Sequence, residues 1–140
     1  MIILAGMRAA GPAAVCALVI GLAGCGGGGD DDPAGDLAQE AGAVVKQLER
    51  SIRDGDFEHV CSELLSADVR RQAGGGDCPG MLKRTSAGVK RPRIEVKGIK
   101  IEGATAAVDV VTVAQGQAPA EDTIRLVREN GAYRISSLSG

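Results

Sequence analysis

The chain has 140 residues, a net charge of −2 and scattered basic residues, which leaves no strong positive field for nucleic acid. One Phe, one Tyr and no Trp argue against a base-stacking surface and require a core of Val, Ile, Leu and Ala, which bury less area per residue than rings. The length suits one ordinary domain with some residues left over.

The surplus lies at the start. Arg8 is the only charge before Cys25, and Ala13 to Ala23 is almost wholly apolar. That run matches the apolar part of a secretory signal and is shorter than the roughly 20 residues of a membrane-spanning helix. The start is either Met1 or Met7, the second placing Arg8 directly after it. The run ends in Leu22-Ala23-Gly24-Cys25, which resembles the bacterial lipobox: an apolar residue, two small residues that a peptidase can accept, and a cysteine. The resemblance implies a lipoprotein signal peptide over 1–24, lipid attached to the Cys25 thiol, and an extracytoplasmic domain anchored to the cell membrane. Two acyl chains, at about 0.8 kcal/mol per buried CH₂, hold a small domain stably where one would not. The competing readings are an ordinary signal peptide with an incidental cysteine, and a buried hydrophobic helix.

The remaining cysteines follow. Cys16 leaves with the signal and Cys25 is blocked by lipid, so Cys61 and Cys78 are expected to form a disulfide in a compartment where disulfides persist. The alternative is two buried thiols. His59 is the only other soft ligand, so a zinc shell could be completed only with carboxylates; no metal or cofactor is expected. After Cys25, the run GGGGDDDPAG over 26–35 has no apolar face and reads as a tether. Ten such residues span roughly 17 Å.

The folded domain is expected over 36–140, with Asp36 as helix N-cap and Gln39 as its capping-box partner. Leu37, Ala41, Val44, Val45, Leu48 and Ile52 recur at helical spacing. Gly55 ends this helix and Asp56 caps the next, in which Phe57, Val60, Cys61, Leu64 and Leu65 form one stripe. A short helical turn over 66–71, a glycine loop and a fourth helix with Pro79 in its first turn follow, the last capped by Asp77. The two cysteines then lie on the apolar faces of consecutive helical pieces.

After Pro92 the period falls to two. Ile94 and Val96 alternate with charge, the phase shifts at Gly98 to Ile99 and Ile101, and it shifts again between Val110 and Val111. Two β-bulges are expected there. Asn130-Gly131 marks a type I′ hairpin that sets Leu126 opposite Ile135 and Arg128 opposite Tyr133. Helices followed by four antiparallel strands make an α+β domain.

The Asp54-Gly55-Asp56-Phe57 junction, Cys61, Asp77-Cys78 and the closing hairpin from Arg125 to Ile135 together resemble small NTF2-like lipoproteins of high-GC Gram-positive bacteria, with Tyr133 in the place of the usual hairpin aromatic. The resemblance implies a cone in which N-terminal helices pack on a curved four-stranded sheet. Some similar proteins are isomerases or cyclases that place a base and a Tyr or acid in the cone, so Tyr133 is a candidate pocket-lining residue. Its competing role is the core aromatic of the sheet. Asp109 alternates with Val108 and Val110 and faces solvent; His59 lies off the apolar stripe; no paired carboxylates converge and no catalytic triad or phosphate loop is present. Arg70-Arg71 and Lys90-Arg91-Pro92-Arg93 read as solvated charge clusters. No catalytic residue is assigned. The expected role is a non-enzymatic binding or accessory module of the cell envelope with a protein partner there; the alternative is a small-molecule-binding or isomerase-like enzyme using the cone.

Overall fold

A computed structural model describes residues 33–138. The signal segment, the lipobox cysteine Cys25 and most of the tether lie outside the described residues. Helix α1 spans Pro33–Asp54 and begins before Asp36, so Asp36 is not the N-cap. Pro33 suits a first turn, where its missing N–H breaks no bond, and Asp36 stands within that turn, next to the positive end of the helix dipole. Its stripe buries Ala41, Val44, Val45 and Leu48, with Leu37 and Ile52 half-buried at either end. Gly55 ends the helix at φ +74°, where a side chain would be strained.

Helix α2, Phe57–His59, is capped as expected: Asp56 accepts a hydrogen bond from the His59 N–H at 3.2 Å. It does not continue as a regular helix. Val60–Leu64 forms a π-helical turn, and Leu65 turns extended at φ −83° and ψ 143°. There it makes a parallel bridge with Ile135, and the Ser66 N–H donates to the Ile135 carbonyl at 2.9 Å. The wider turn keeps Val60, Cys61 and Leu64 buried while releasing Leu65 to the sheet edge. Helix α3, Ala67–Gln72, starts on the Ser66 hydroxyl, which accepts from the Val69 N–H. Helix α4, Cys78–Thr85, has Pro79 in its first turn. Asp77 occupies the N-cap position without making a cap bond; its carboxylate takes the Arg84 guanidinium at 3.0 Å.

Strands β1 (Arg93–Glu102), β2 (Thr105–Val113), β3 (Ala120–Glu129) and β4 (Ala132–Ser137) form one antiparallel sheet in chain order. Val96 pairs with Val110 but Gly98 with Asp109, leaving Lys97 as the extra residue of a bulge. That extra residue brings Ile99 and Ile101 opposite Val108 and Ala106, which explains the phase shift at Gly98. The second bulge is not in β2, whose register runs unbroken past Val111. It lies in β4, where Leu126 pairs with Ile135 but Arg125 with Ser137, so that Ser136 is skipped. The apolar switch at Val111 and Val113 is a change in which face carries the apolar side chains. Asn130 and Gly131 have φ +51° and +79°, as a type I′ turn requires, and Leu126–Ile135 and Arg128–Tyr133 are opposed as the turn dictates.

The core lies between α1 and the sheet. Val45 and Leu48 meet Val108, Val110, Leu126 and Ile135 within one buried cluster. Two α1 side chains also close the start of the β1 edge. Glu49 accepts from the Ile94 N–H at 2.6 Å, and the Lys46 ammonium donates to the Ile94 carbonyl at 3.3 Å. An edge strand otherwise presents such groups to other chains.

Candidate functional site

Cys61 and Cys78 form a disulfide across the π-turn and the start of α4, with Cα atoms 6.1 Å apart and both residues buried. It fixes the helical layer that the Gly74–Gly76 loop would otherwise leave loosely joined. Tyr133 is 2% exposed and belongs to the core cluster. Its hydroxyl is buried without a hydrogen-bond partner among the described residues. The Arg128 guanidinium lies over its ring, 4.9 Å from the centroid. Arg128 is itself held by Glu40 of α1 at 3.0 Å and by the Gly131 carbonyl at 2.7 Å. The hydrogen bond to Glu40, foremost, raises the Arg128 pKa above its usual value, against a smaller opposing effect of burial. Tyr133 thus sits at the junction of α1 and the closing hairpin, and it lines none of the five concavities described.

The other residues singled out by sequence are dispersed. Asp109 is exposed and accepts from the Thr123 hydroxyl at 2.9 Å. His59 is half-buried and borders a shallow concavity with Arg50, Asp54 and Asp56. Arg71 pairs with Asp68, and Arg70 and Arg71 both line an open concavity beside Cys61. Among the described residues no group of three or more His, Cys, Asp or Glu side chains is placed to hold a metal ion, and no helix is long and apolar enough to cross a membrane.

The most enclosed of the five concavities is a slot of about 260 Å³ at the end of the core. Ile52, from the last turn of α1, closes one side; Val89 and Pro92 of the α4–β1 connection, Val113 of β2 and Ala118 of the β2–β3 loop supply much of the apolar wall, with Ser86, Thr112 and Gln117 adding polar groups and Arg93 at the rim. The two rims are tied together by the Gln115 N–H, which donates to the Lys90 carbonyl at 2.8 Å. Sequence reading missed this slot because its walls come from three segments that meet only in the fold. The sole local signal was the Pro-interrupted cluster Lys90–Arg93.

By sequence, the chain matches no protein-family model and no curated protein. Several solved structures align with it. A chain named Rd1NTF2_05, carrying five substitutions, aligns over 79% of this chain and 98% of its own at 14% identity, with a TM-score of 0.51. This chain has an NTF2-like fold. The designed NTF2 fold protein NT-9 aligns at 17% identity over 73% of this chain and 82% of its own, with a TM-score of 0.45. A Campylobacter jejuni protein provisionally described as an NTF2-like transpeptidase aligns at 14% identity over 68% of this chain and 95% of its own, with a TM-score of 0.48. In the NTF2-like frame, the space between helix α1 and the sheet is occupied by the buried Val, Leu and Ile side chains named above; the slot opens at the end of that layer.

Proposed function

We propose that this protein is a lipid-anchored, extracytoplasmic binding or accessory module of the cell envelope rather than a catalyst. The observation that carries the reading is the buried Cys61–Cys78 disulfide, because such bonds persist in oxidising compartments outside the cytoplasm. The Leu22-Ala23-Gly24-Cys25 stretch supports the anchor: cleavage before Cys25 leaves a lipidated residue followed by a short polar tether. The filled interior of the cone favours association through the surface or the slot over chemistry at the centre. The test is fractionation of cells expressing the wild-type chain and Cys25→Ala. The wild type should stay with membranes through a salt wash and Cys25→Ala should not; a variant that still partitions with membranes overturns the anchor. Crosslinking in cells followed by capture of the wild type should return an envelope protein.

A second reading, an isomerase-like enzyme using the cone interior, has one observation behind it. The Tyr133 hydroxyl is buried and makes no hydrogen bond of good geometry among the described residues, so it could donate to a ligand oxygen if the interior opened. It predicts that steroid- or polyketide-like ligands perturb the Tyr133 ring resonances. Unchanged resonances at saturating ligand remove it.

A further inference from the structure

We propose that the slot at the end of the core binds a single-chain amphipathic anion, with its apolar tail between Ile52 and Val113 and its carboxylate at Arg93. This rests on the reading of the domain as a binding module, not on the anchor at Cys25. Three observations carry it. First, the walls are mainly aliphatic, and Val89 on the rim is 38% exposed, one of two large apolar side chains so exposed among the described residues. An aliphatic side chain held open to water beside an apolar cavity gains from a ligand that covers it. Second, no carboxylate lines the slot, and Arg93 at its rim makes no ion pair or side-chain hydrogen bond among the described residues, its one carboxylate neighbour being Glu95, whose pKa it helps to lower from a distance. Lys90 and Arg91 lie on the same rim segment, between Val89 and Pro92. Three cations on this segment outnumber the one neighbouring carboxylate, Glu95, and a guanidinium fork suits a carboxylate. Third, Arg91 adopts φ +48°, a left-handed conformation that long side chains rarely take. Strain of this kind collects where structure is held for binding, and the Gln115–Lys90 bond holds it here.

Size sets the ligand. An apolar cavity of roughly 150 Å³ takes a benzene, so one of about 260 Å³ takes a body of about ten carbons. A short carboxylate would leave the walls wet.

The experiment titrates decanoate into the full chain carrying Cys25→Ala, followed by amide NMR shifts and calorimetry. Saturable binding is expected, with shifts concentrated at 86–94 and 112–120. Decanol should bind at least about tenfold more weakly, since a charged hydrogen bond is worth roughly one factor of ten or more, and acetate should also bind at least about tenfold more weakly, since it keeps the carboxylate but buries no tail. Arg93→Gln should weaken decanoate about tenfold and leave decanol unchanged, while Arg93→Lys keeps part of the affinity. Ala118→Phe, an exposed loop change that fills the slot, should abolish binding with the core resonances unmoved. Decanol binding as tightly as decanoate, or Arg93→Gln without effect, overturns the proposal. So does binding confined to vesicles of anionic phospholipid, which would make the basic rim a membrane contact instead. A negative titration leaves the membrane partition of the wild type untouched, so the two readings fail separately.

Discussion

The Arg128 guanidinium stands 4.9 Å from the ring centroid of Tyr133, its directly opposed partner across the β3–β4 hairpin. The contact joins three elements, because the same guanidinium also binds Glu40 of α1 and the Gly131 carbonyl in the turn. The type I′ turn sets the opposition, the opposition puts the cation over the ring, and the ring carries the core up to the hairpin. One atom in this arrangement is poorly satisfied: the buried Tyr133 hydroxyl makes no hydrogen bond of good geometry among the described residues, and its only polar influence there is the nearby Arg128, whose pKa it helps to raise.

Tyr133→Phe separates these effects. It keeps the ring under Arg128 and deletes the orphan hydroxyl, whose burial costs about 1–3 kcal/mol. The variant should gain about 1 kcal/mol in urea unfolding, seen as a higher midpoint with an unchanged slope. A loss of similar size would show that the hydroxyl has a bound partner.

The disulfide closes a loop of 17 residues, which by chain entropy stabilises the fold by about 3 kcal/mol. Replacing Cys61 and Cys78 together by Ser should lower stability by about that amount, and reductant should destabilise the wild type equally while leaving the double variant unchanged. Non-reduced peptide mapping should recover the two cysteines joined. If reductant leaves the wild-type melting temperature unmoved, the bridge has no part in stability.

Glu49 and Lys46 close the start of the β1 edge through the Ile94 backbone. Glu49→Ala strands a buried N–H and should cost about 1–3 kcal/mol; Glu49→Gln retains an acceptor and should cost less. Because an uncovered edge pairs with other chains, Glu49→Ala should also self-associate at concentrations where Glu49→Gln stays unchanged, measured by sedimentation. Equal stability of the two variants would remove the edge-closing role.

Periodicity carried most of the architecture. The α1 stripe, the Gly98 bulge region and the Asn130-Gly131 hairpin are local signals, and each has a local cause in the structure. What could not be read depends on distant residues. Leu65 fits the helical stripe as well as Leu64 does, yet Ile135, seventy residues on, draws it into a bridge. Asp77 stands where a cap belongs, but Arg84 takes its carboxylate. Lys46 and Glu49 look like a solvated helix face until β1 arrives beside them. The slot is the extreme case: Ile52, Val89, Val113 and Ala118 share no pattern in sequence and meet only at the end of the core.

Two exposed pairs on β1 carry resolved pKa shifts and add a pH-dependent contribution. Glu95 is lowered from its ordinary pKa of 4.5, first by its hydrogen bond to Lys97 and then by that residue's charge. Glu102 is lowered in the same way by Lys100, and Lys100 is raised above 10.5 by Glu102. A carboxylate with a depressed folded pKa contributes stability above its unfolded value and loses it as pH falls through the folded one. A raised lysine contributes below its unfolded value and loses it as pH rises through the folded one. The Glu102–Lys100 pair is therefore fully effective between about pH 4.5 and 10.5, and Glu95 contributes above about pH 4.5. Melting temperature should be flat across the middle of this window and decline beyond either end, with the acid side softened by salt because solvent and ions screen such pairs. Carboxyl-detected NMR should find Glu95 and Glu102 titrating below the ordinary Glu range, and Lys97→Met should return Glu95 upward without moving Glu102. If Glu95 titrates at its ordinary value in the wild type, the pairing with Lys97 does not persist in solution.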